Sequence, residues 1–393
     1  MLAVGGVLWS SAAAAQSPLA TSSMISFTVA DSGVTFNDSA NPSAVVLPDG
    51  RVRLYVSFFG GLSSFISPDG VNFTREMDRI EKSAGLPLAT THHFWVLAVP
   101  NGTYRMYFAQ TGNSNGIGSA LSTDGLNFTV EPGLRISVAQ AGIGPDLSTG
   151  GVIRLPNGTF RMYFSSYNYA LVGPETIPNV IKVADSPDGL AWTVKPGVRI
   201  GEGSPAIPGN AEHPSALVNS DGSVSVFYGR LNNGPSDTSH GLYVTTSTDG
   251  LAFTSTKRLI NVGDFGQLAA AVDSAVVRLA NGTIVLYHGD RNNATGVSYV
   301  KVKTLTETTS PAQVAQKVSV SVAVKGKGRV TGSGISCPGT CKTMLKSGSK
   351  FTLRATPASG YRFAGWSGAC TGLHACTLRP KVAVKVTATF RKR

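Results

Sequence analysis

Polar and titratable residues recur at one kind of place in this chain. Five short turns read Pro48-Asp49-Gly50, Pro100-Asn101-Gly102, Pro156-Asn157-Gly158, Ser220-Asp221-Gly222 and Ala280-Asn281-Gly282. Counting back from each glycine through an apolar run leads to Asn41, to His92 and His93, to Glu212 and His213, and to Asp273. The third run, with about three extra residues, leads to Asp146 in Gly144-Pro145-Asp146-Leu147. The runs after the turns end in Gln110, Tyr167, Arg230, His288, Asp290 and Arg291. Asp and Glu are poor strand formers, so carboxylates at strand ends ask for an explanation. Carboxylates, imidazoles and guanidinium groups gathered at one mouth can exchange protons with a ligand or hold a polar one. Several acids near one axis would also suit Ca²⁺. The simpler alternative is that each caps a strand or pairs with a neighbour, Glu212 with Arg230 for example.

A repeat supplies the elements that would bring these residues together. Four phrases share the pattern S-x-D-G-x-x-aromatic: Ser67 to Phe73, Ser122 to Phe128, Ser186 to Trp192 and Ser247 to Phe253. Their Asp residues lie 55, 64 and 61 positions apart. A period of that size on strand-like runs marks a radial array of small sheets. Asp-Gly and Asn-Gly between apolar runs are strong hairpin signals, because both residues tolerate positive φ. Ser26 to Phe36 ends in Ala30-Asp31-Ser32-Gly33-Val34-Thr35-Phe36, a degraded copy of the phrase. It reads as a strand that completes the last sheet and closes the ring without an exposed edge. The expected fold is therefore all-β, a five-bladed β-propeller over residues 24–305 followed by a small β-rich domain.

Alternating strand direction places both kinds of tidy turn on one face. The opposite face receives the starts of the inner strands and the irregular loops, the longest being 166–180 and 230–241. Function on such scaffolds usually sits in loops. Asp69, Asp124, Asp188 and Asp249 belong to the turn face, where a carboxylate can accept backbone N–H bonds across its own turn. They are expected to be structural.

Composition agrees with a large core: 393 residues, 42% hydrophobic and 14% charged. Residues 1–16 are apolar and end in small residues, Ala13-Ala14-Ala15 among them, as a secretory signal peptide does. No later segment is apolar enough to span a bilayer as a helix. All four cysteines, Cys337, Cys341, Cys370 and Cys376, fall near the end. An even count in a secreted chain points to disulfides, with three connectivities open and the two local pairs favoured. Zinc is the lesser reading, since histidine ligands at suitable spacing are missing. Residues 317–393 hold 15 Lys/Arg and no Asp or Glu, so the net charge of +12 belongs to the tail. Such a tail is drawn to anionic cell-wall polymer or other polyanions, or serves solubility. It lacks a nucleic-acid module's pattern. Residues 306–317 read as a linker, and the protein as a secreted or cell-surface monomer.

The repeated portion resembles the five-bladed propeller glycosidases of glycoside hydrolase family 43. Asn41-Pro42-Ser43-Ala44-Val45 resembles the family's first-blade D-P-S phrase, Pro145-Asp146 the third-blade Asp, Glu212-His213-Pro214 the fourth-blade E-x-P, and Val285 to Gly289 the end of the last blade. The resemblance implies that Glu212 protonates the leaving oxygen and that Asp146 tunes it. The family's general base is an Asp where this chain has Asn41, so Asp273, or else Asp38, would activate water. His92, His93, His213, Arg230, His288 and Arg291 would contact the sugar. The alternative is a carbohydrate-binding or adhesion protein without catalysis, which Asn41 favours. The tail, Val318 to Phe390, resembles divergent internalin-type B repeats through Cys337-Pro338-Gly339-Thr340-Cys341 and Phe363-Ala364-Gly365-Trp366.

Overall fold

The structure is a computed structural model. It describes residues 24–58, 61–80, 86, 93–110, 116–167, 179–230, 241–260, 273–291, 297–310 and 317–393. The expected signal peptide, His92, most of the two long loops and residues 311–316 lie outside the described residues, as does the side chain of Arg291. Two compact units divide the chain, one ending at Ser310 and the other running from Pro311 to Arg393.

Among the described residues, the first unit consists of five antiparallel sheets and one helical turn, a β-propeller-like arrangement. Strand β1 is Met24–Asn37. The first sheet is β2 (Ser39–Val46), β3 (Val52–Phe58), β4 (Gly61–Ser67) and β5 (Thr74–Met77). The second is β6 (Phe94–Ala98), β7 (Tyr104–Gln110), β8 (Gly116–Ser122) and β9 (Thr129–Ser137), followed by α1 (Val138–Ala141). In the third, β10 (Asp146–Ser148) and β11 (Val152–Arg154) both pair with β12 (Phe160–Tyr167). Beyond β12 comes β13 (Val180–Ser186), which pairs with β14 (Thr193–Val194) and β15 (Ile200–Gly201). The fourth is β16 (Glu212–Val218), β17 (Val224–Arg230), β18 (Gly241–Ser247) and β19 (Lys257–Ile260). The fifth is β20 (Ser274–Arg278), β21 (Ile284–Arg291) and β22 (Ser298–Ser310), with β1 paired antiparallel to β22. Strand β22 runs five residues past the expected end of the repeat. Its tract Thr306 to Ser310, expected to begin the linker, pairs with Met24 to Thr28. Threonines suit a half-exposed outer strand as well as they suit a linker.

The S-x-D-G phrases are joints between sheets. Within each turn the serine hydroxyl and the Asp carboxylate take the backbone N–H groups: Ser67 Oγ accepts from Gly70, and Asp69 Oδ1 from Val71 and Asn72, all within 2.8–2.9 Å. Bonds from the Asn72 backbone and side chain hold the Asp69 carboxyl well below the usual carboxylate range. The outward carbonyl of each turn glycine then accepts a tyrosine hydroxyl from the neighbouring sheet. Tyr55 donates to Gly125 O at 2.7 Å, Tyr107 to Gly189 O at 2.8 Å, and Tyr163 to Gly250 O at 2.7 Å. Tyr287 donates to Gly70 O at 2.7 Å, which links the fifth sheet back to the first. Gly250 shows why the turn needs glycine. Its φ is +65°, and a Cβ there would lie 2.6 Å from the Tyr163 hydroxyl.

In the first three sheets an arginine two residues before the tyrosine makes a second bond to the same turn and a forked ion pair with its own sheet. Arg53 reaches Asp124 O and Glu76, Arg105 reaches Asp188 O and Glu131, and Arg161 reaches Asp249 O and Asp185. These arginines are mostly buried, so the fork offsets a real desolvation cost. The fourth sheet has Phe227 at the tyrosine's place. There the joint is apolar: Phe227 meets Phe27 of β1 with ring centroids 5.3 Å apart.

The inner strands are tied more closely still. Ser43 Oγ accepts from Val96 N at 2.9 Å, Trp95 Nε1 donates to Val152 O at 3.1 Å, and Ser215 and Ser274 share a hydroxyl bond of 2.8 Å. Gly151 N donates to Pro214 O at 2.6 Å, an approach only glycine permits, since a Cβ would lie 2.4 Å from Ala216 N. These contacts carry the inner strands of successive sheets side by side.

Among its described residues the second unit has two four-stranded sheets. One has the order β26 (Lys342–Lys346), β23 (Lys317–Lys325), β30 (Val384–Lys392), β28 (Tyr361–Gly368), with β23 and β30 parallel. The other has the order β25 (Ile335–Cys337), β24 (Gly328–Gly332), β27 (Phe351–Pro357), β29 (Cys376–Leu378). Phe351, Leu353, Trp366 and Phe390 fill its core. Cys337 is bonded to Cys341 and Cys370 to Cys376, so no thiolate remains to bind zinc.

Candidate active site

Where an inner strand enters its sheet, the hydrogen-bond register decides which side chain faces the axis. Strand β16 carries a bulge: Glu212 pairs with Gly229 and Ser215 with Phe227, so three steps on one strand oppose two on the other. Strand β2 does the same between Ala40 and Ser43. The third sheet gains one residue between Ser148 and Val152. Bulges bend a strand and re-aim its side chains. At the bulges Asn41 and His213 take left-handed backbone, with φ of 50° and 48°, each just before a proline. Asn tolerates this conformation well; histidine does so less often.

The outcome is a ring of five side chains around one small cavity: Asn41, His93, Thr149, His213 and Asp273. Each comes from a different sheet, and each lies nine residues before the glycine of its sheet's hairpin turn. The cavity volume is about 20 Å³, room for a water or a single ion. His213 Nδ1 lies 2.7 Å from Asp273 Oδ1, their side chains being 12% and 16% exposed. The His93 and His213 rings stack with centroids 4.2 Å apart and planes 23° from parallel. The backbone N–H of Asn41 also helps to lower the Asp273 carboxyl.

Charge is unevenly balanced here. Burial favours a neutral His213, but the Asp273 and Glu212 carboxylates outweigh it and push the imidazole up to about 9. Burial raises Asp273, and the His213 charge and hydrogen bond bring it below the ordinary carboxylate value. Two imidazoles and one carboxylate make a nitrogen-rich donor set. It does not match the all-oxygen shell that Ca²⁺ takes.

The sequence-derived residues divide accordingly. His93, His213, Asp273 and Asn41 converge. Glu212, expected to protonate the leaving oxygen, is fully buried and accepts a bond from Asn179 Nδ2 at 2.8 Å. The bulge turns it inward and sends His213 to the cavity instead. Asp146 pairs opposite Tyr167 at the start of its sheet, and burial raises its carboxyl. The ring position in that sheet is Thr149, which the nine-residue offset marks and a search for acids passes over. Asp38 is exposed between β1 and β2. His288 is buried, its Nδ1 2.8 Å from Gly289 O, and burial holds its imidazole down at about 4. Arg230 donates to Pro208 O at 2.9 Å and lies over the Tyr243 ring at 5.7 Å. The role of Asn179, buried against Glu212, has no signal in the sequence that its type or spacing would reveal.

Comparison with known proteins bears on both units. Residues 318–393 match the family model described as a divergent InlB B-repeat domain. No curated protein sequence matches the chain. Among solved structures, a thermostable family-43 glycoside hydrolase aligns at 15% identity and a TM-score of 0.51, covering 69% of this chain and 89% of its own. An endo-1,4-beta-xylanase from Bacteroides thetaiotaomicron aligns at 17% identity and a TM-score of 0.47, covering 70% and 97%. An N-acetylgalactosamine deacetylase from F. plautii, solved with a blood-group trisaccharide, aligns at 14% identity and a TM-score of 0.48, covering 69% and 90%. At 15% identity the likeness to the family-43 hydrolase is one of fold alone, in keeping with the β-propeller-like sheets of the first unit.

Proposed function

We propose that the first unit is a five-bladed propeller that acts on a poly- or oligosaccharide at the ring of inner-strand entries. One observation carries this reading: chemically capable side chains from four separate sheets meet at a single cavity, while the repeated acids of the S-x-D-G turns are consumed by their own backbone. Strand-entry positions around a propeller axis are where a ligand can touch every sheet at once. Asp273 is the carboxylate on the cavity wall and is assigned the handling of water. His213, paired with Asp273, is assigned the contact with the sugar, with the Glu212 charge supporting His213. Asp146 lies outside the ring and is assigned to a flanking sugar contact, with Arg230, His92 and Arg291.

A reducing-sugar screen of plant, fungal and bacterial glycans tests this. On a responsive glycan, Asp273→Asn is expected to lower kcat/KM about 10²- to 10⁴-fold, the usual weight of a general acid or base. Glu212→Gln should lower it less, because that carboxylate acts through His213. Full turnover by Asp273→Asn would overturn the assignment.

Asn41 on the cavity wall favours a second reading, binding without hydrolysis. Glycan-array binding with no release of reducing ends would select it. Under either reading the protein works as a secreted or cell-surface monomer. Its disulfides suit an oxidising compartment, and its basic second unit suits an anionic cell-wall polymer.

A further inference from the structure

We propose that the ring holds a divalent transition-metal ion of the zinc class, ligated by His93, His213 and Asp273. One donor atom from each of these three side chains lies within 4.8 Å of the other two. A metal bound at about 2.0–2.2 Å by nitrogen and oxygen in a tetrahedron sets its ligand atoms on the order of 3.4 Å apart, so small side-chain adjustments complete the site. The three residues enter from three different sheets at one offset from their hairpin turns, so the ring is built by the fold and not by one flexible loop. Two imidazoles and a carboxylate are a donor set that suits zinc, iron, cobalt or nickel and not calcium.

The surroundings fit an ion as well. The two remaining ring residues, Asn41 and Thr149, are neutral and oxygen-bearing. Three protein ligands leave one position of a tetrahedral ion open, and the cavity of about 20 Å³ has room for the ion itself. The bulge in β16 sets the left-handed backbone of His213, so the strand itself positions this ligand. The inference concerns the same cavity as the proposed function. It is independent of the sugar, because metal binding is measured with no substrate present.

The test uses the full chain, stripped with chelator and dialysed, then titrated calorimetrically with Zn²⁺, Co²⁺, Mn²⁺ and Ca²⁺ in turn. About one equivalent of Zn²⁺ is expected, with Co²⁺ giving visible absorption bands and Ca²⁺ binding about 100-fold or more weakly. His93→Ala and Asp273→Asn should each weaken Zn²⁺ at least about 10- to 100-fold. His374→Ala, in the second unit, should change nothing and controls for surface histidines. Circular dichroism of each variant confirms that weakened binding is not loss of fold. Absence of Zn²⁺ and Co²⁺ binding, preference for Ca²⁺, or unchanged binding in folded His93→Ala/Asp273→Asn protein would each overturn the site.

Discussion

At positions 41 and 213 the backbone enters the left-handed region, and the consequence is chemical. By strand pairing alone, Glu212 opposite Gly229 stands where Asp273 stands opposite Gly289 in the fifth sheet. The bulge nonetheless buries Glu212 and gives the axis to His213. This conformation penalises β-branched side chains by about 1–2 kcal/mol relative to residues that tolerate it. His213→Val should therefore be less stable than His213→Asn by about that amount, seen as a lower urea midpoint. Equal midpoints would mean that the bulge does not persist in solution. The same comparison at position 41, Val against Gly, provides a second reading of the same geometry.

Among the elements, the tyrosine clasp explains why the S-x-D-G phrase recurs. The turn arranges its own N–H groups on the serine and aspartate, which leaves the glycine carbonyl pointing outward for the next sheet's tyrosine. Tyr163→Phe removes the donor to Gly250 O and leaves that buried carbonyl without it. The expected loss is about 1–3 kcal/mol, measured by urea unfolding. The fourth sheet supplies an internal comparison, because Phe227 stands at the clasp position and packs on Phe27 of β1 where the other sheets make a hydroxyl–carbonyl bond.

For the molecule as a whole, that exceptional joint is where the first unit closes. Strand β1 joins the fifth sheet through β22 and meets the fourth through Phe27, which is buried against Phe227. Closure then depends on a strand from the far end of the sequence. Phe27→Ala should cost about 3–5 kcal/mol, the range for deleting a buried aromatic ring. Urea unfolding followed by tryptophan fluorescence checks it, since Trp95 and Trp192 lie in the first unit's core. A loss under about 1 kcal/mol would mean that β1 adds little to closure.

The repeat, the hairpin turns, the returning N-terminal strand and the local cysteine pairs were all legible in the sequence. Each depends on contacts among near neighbours or on a phrase that repeats, and such patterns survive in one dimension. The strand entries were also legible: counting back from each turn glycine brought Asn41, His93, His213 and Asp273 into view, together with His92, Glu212 and Asp146. Only the tertiary structure decided between Glu212 and His213, between Asp146 and Thr149, and where β22 ends. A bulge adds one residue without disturbing composition, and it changes which of two adjacent side chains faces the axis. That choice is made by hydrogen bonds to the partner strand and by the packing of neighbouring sheets, neither of which a single strand's residue order contains.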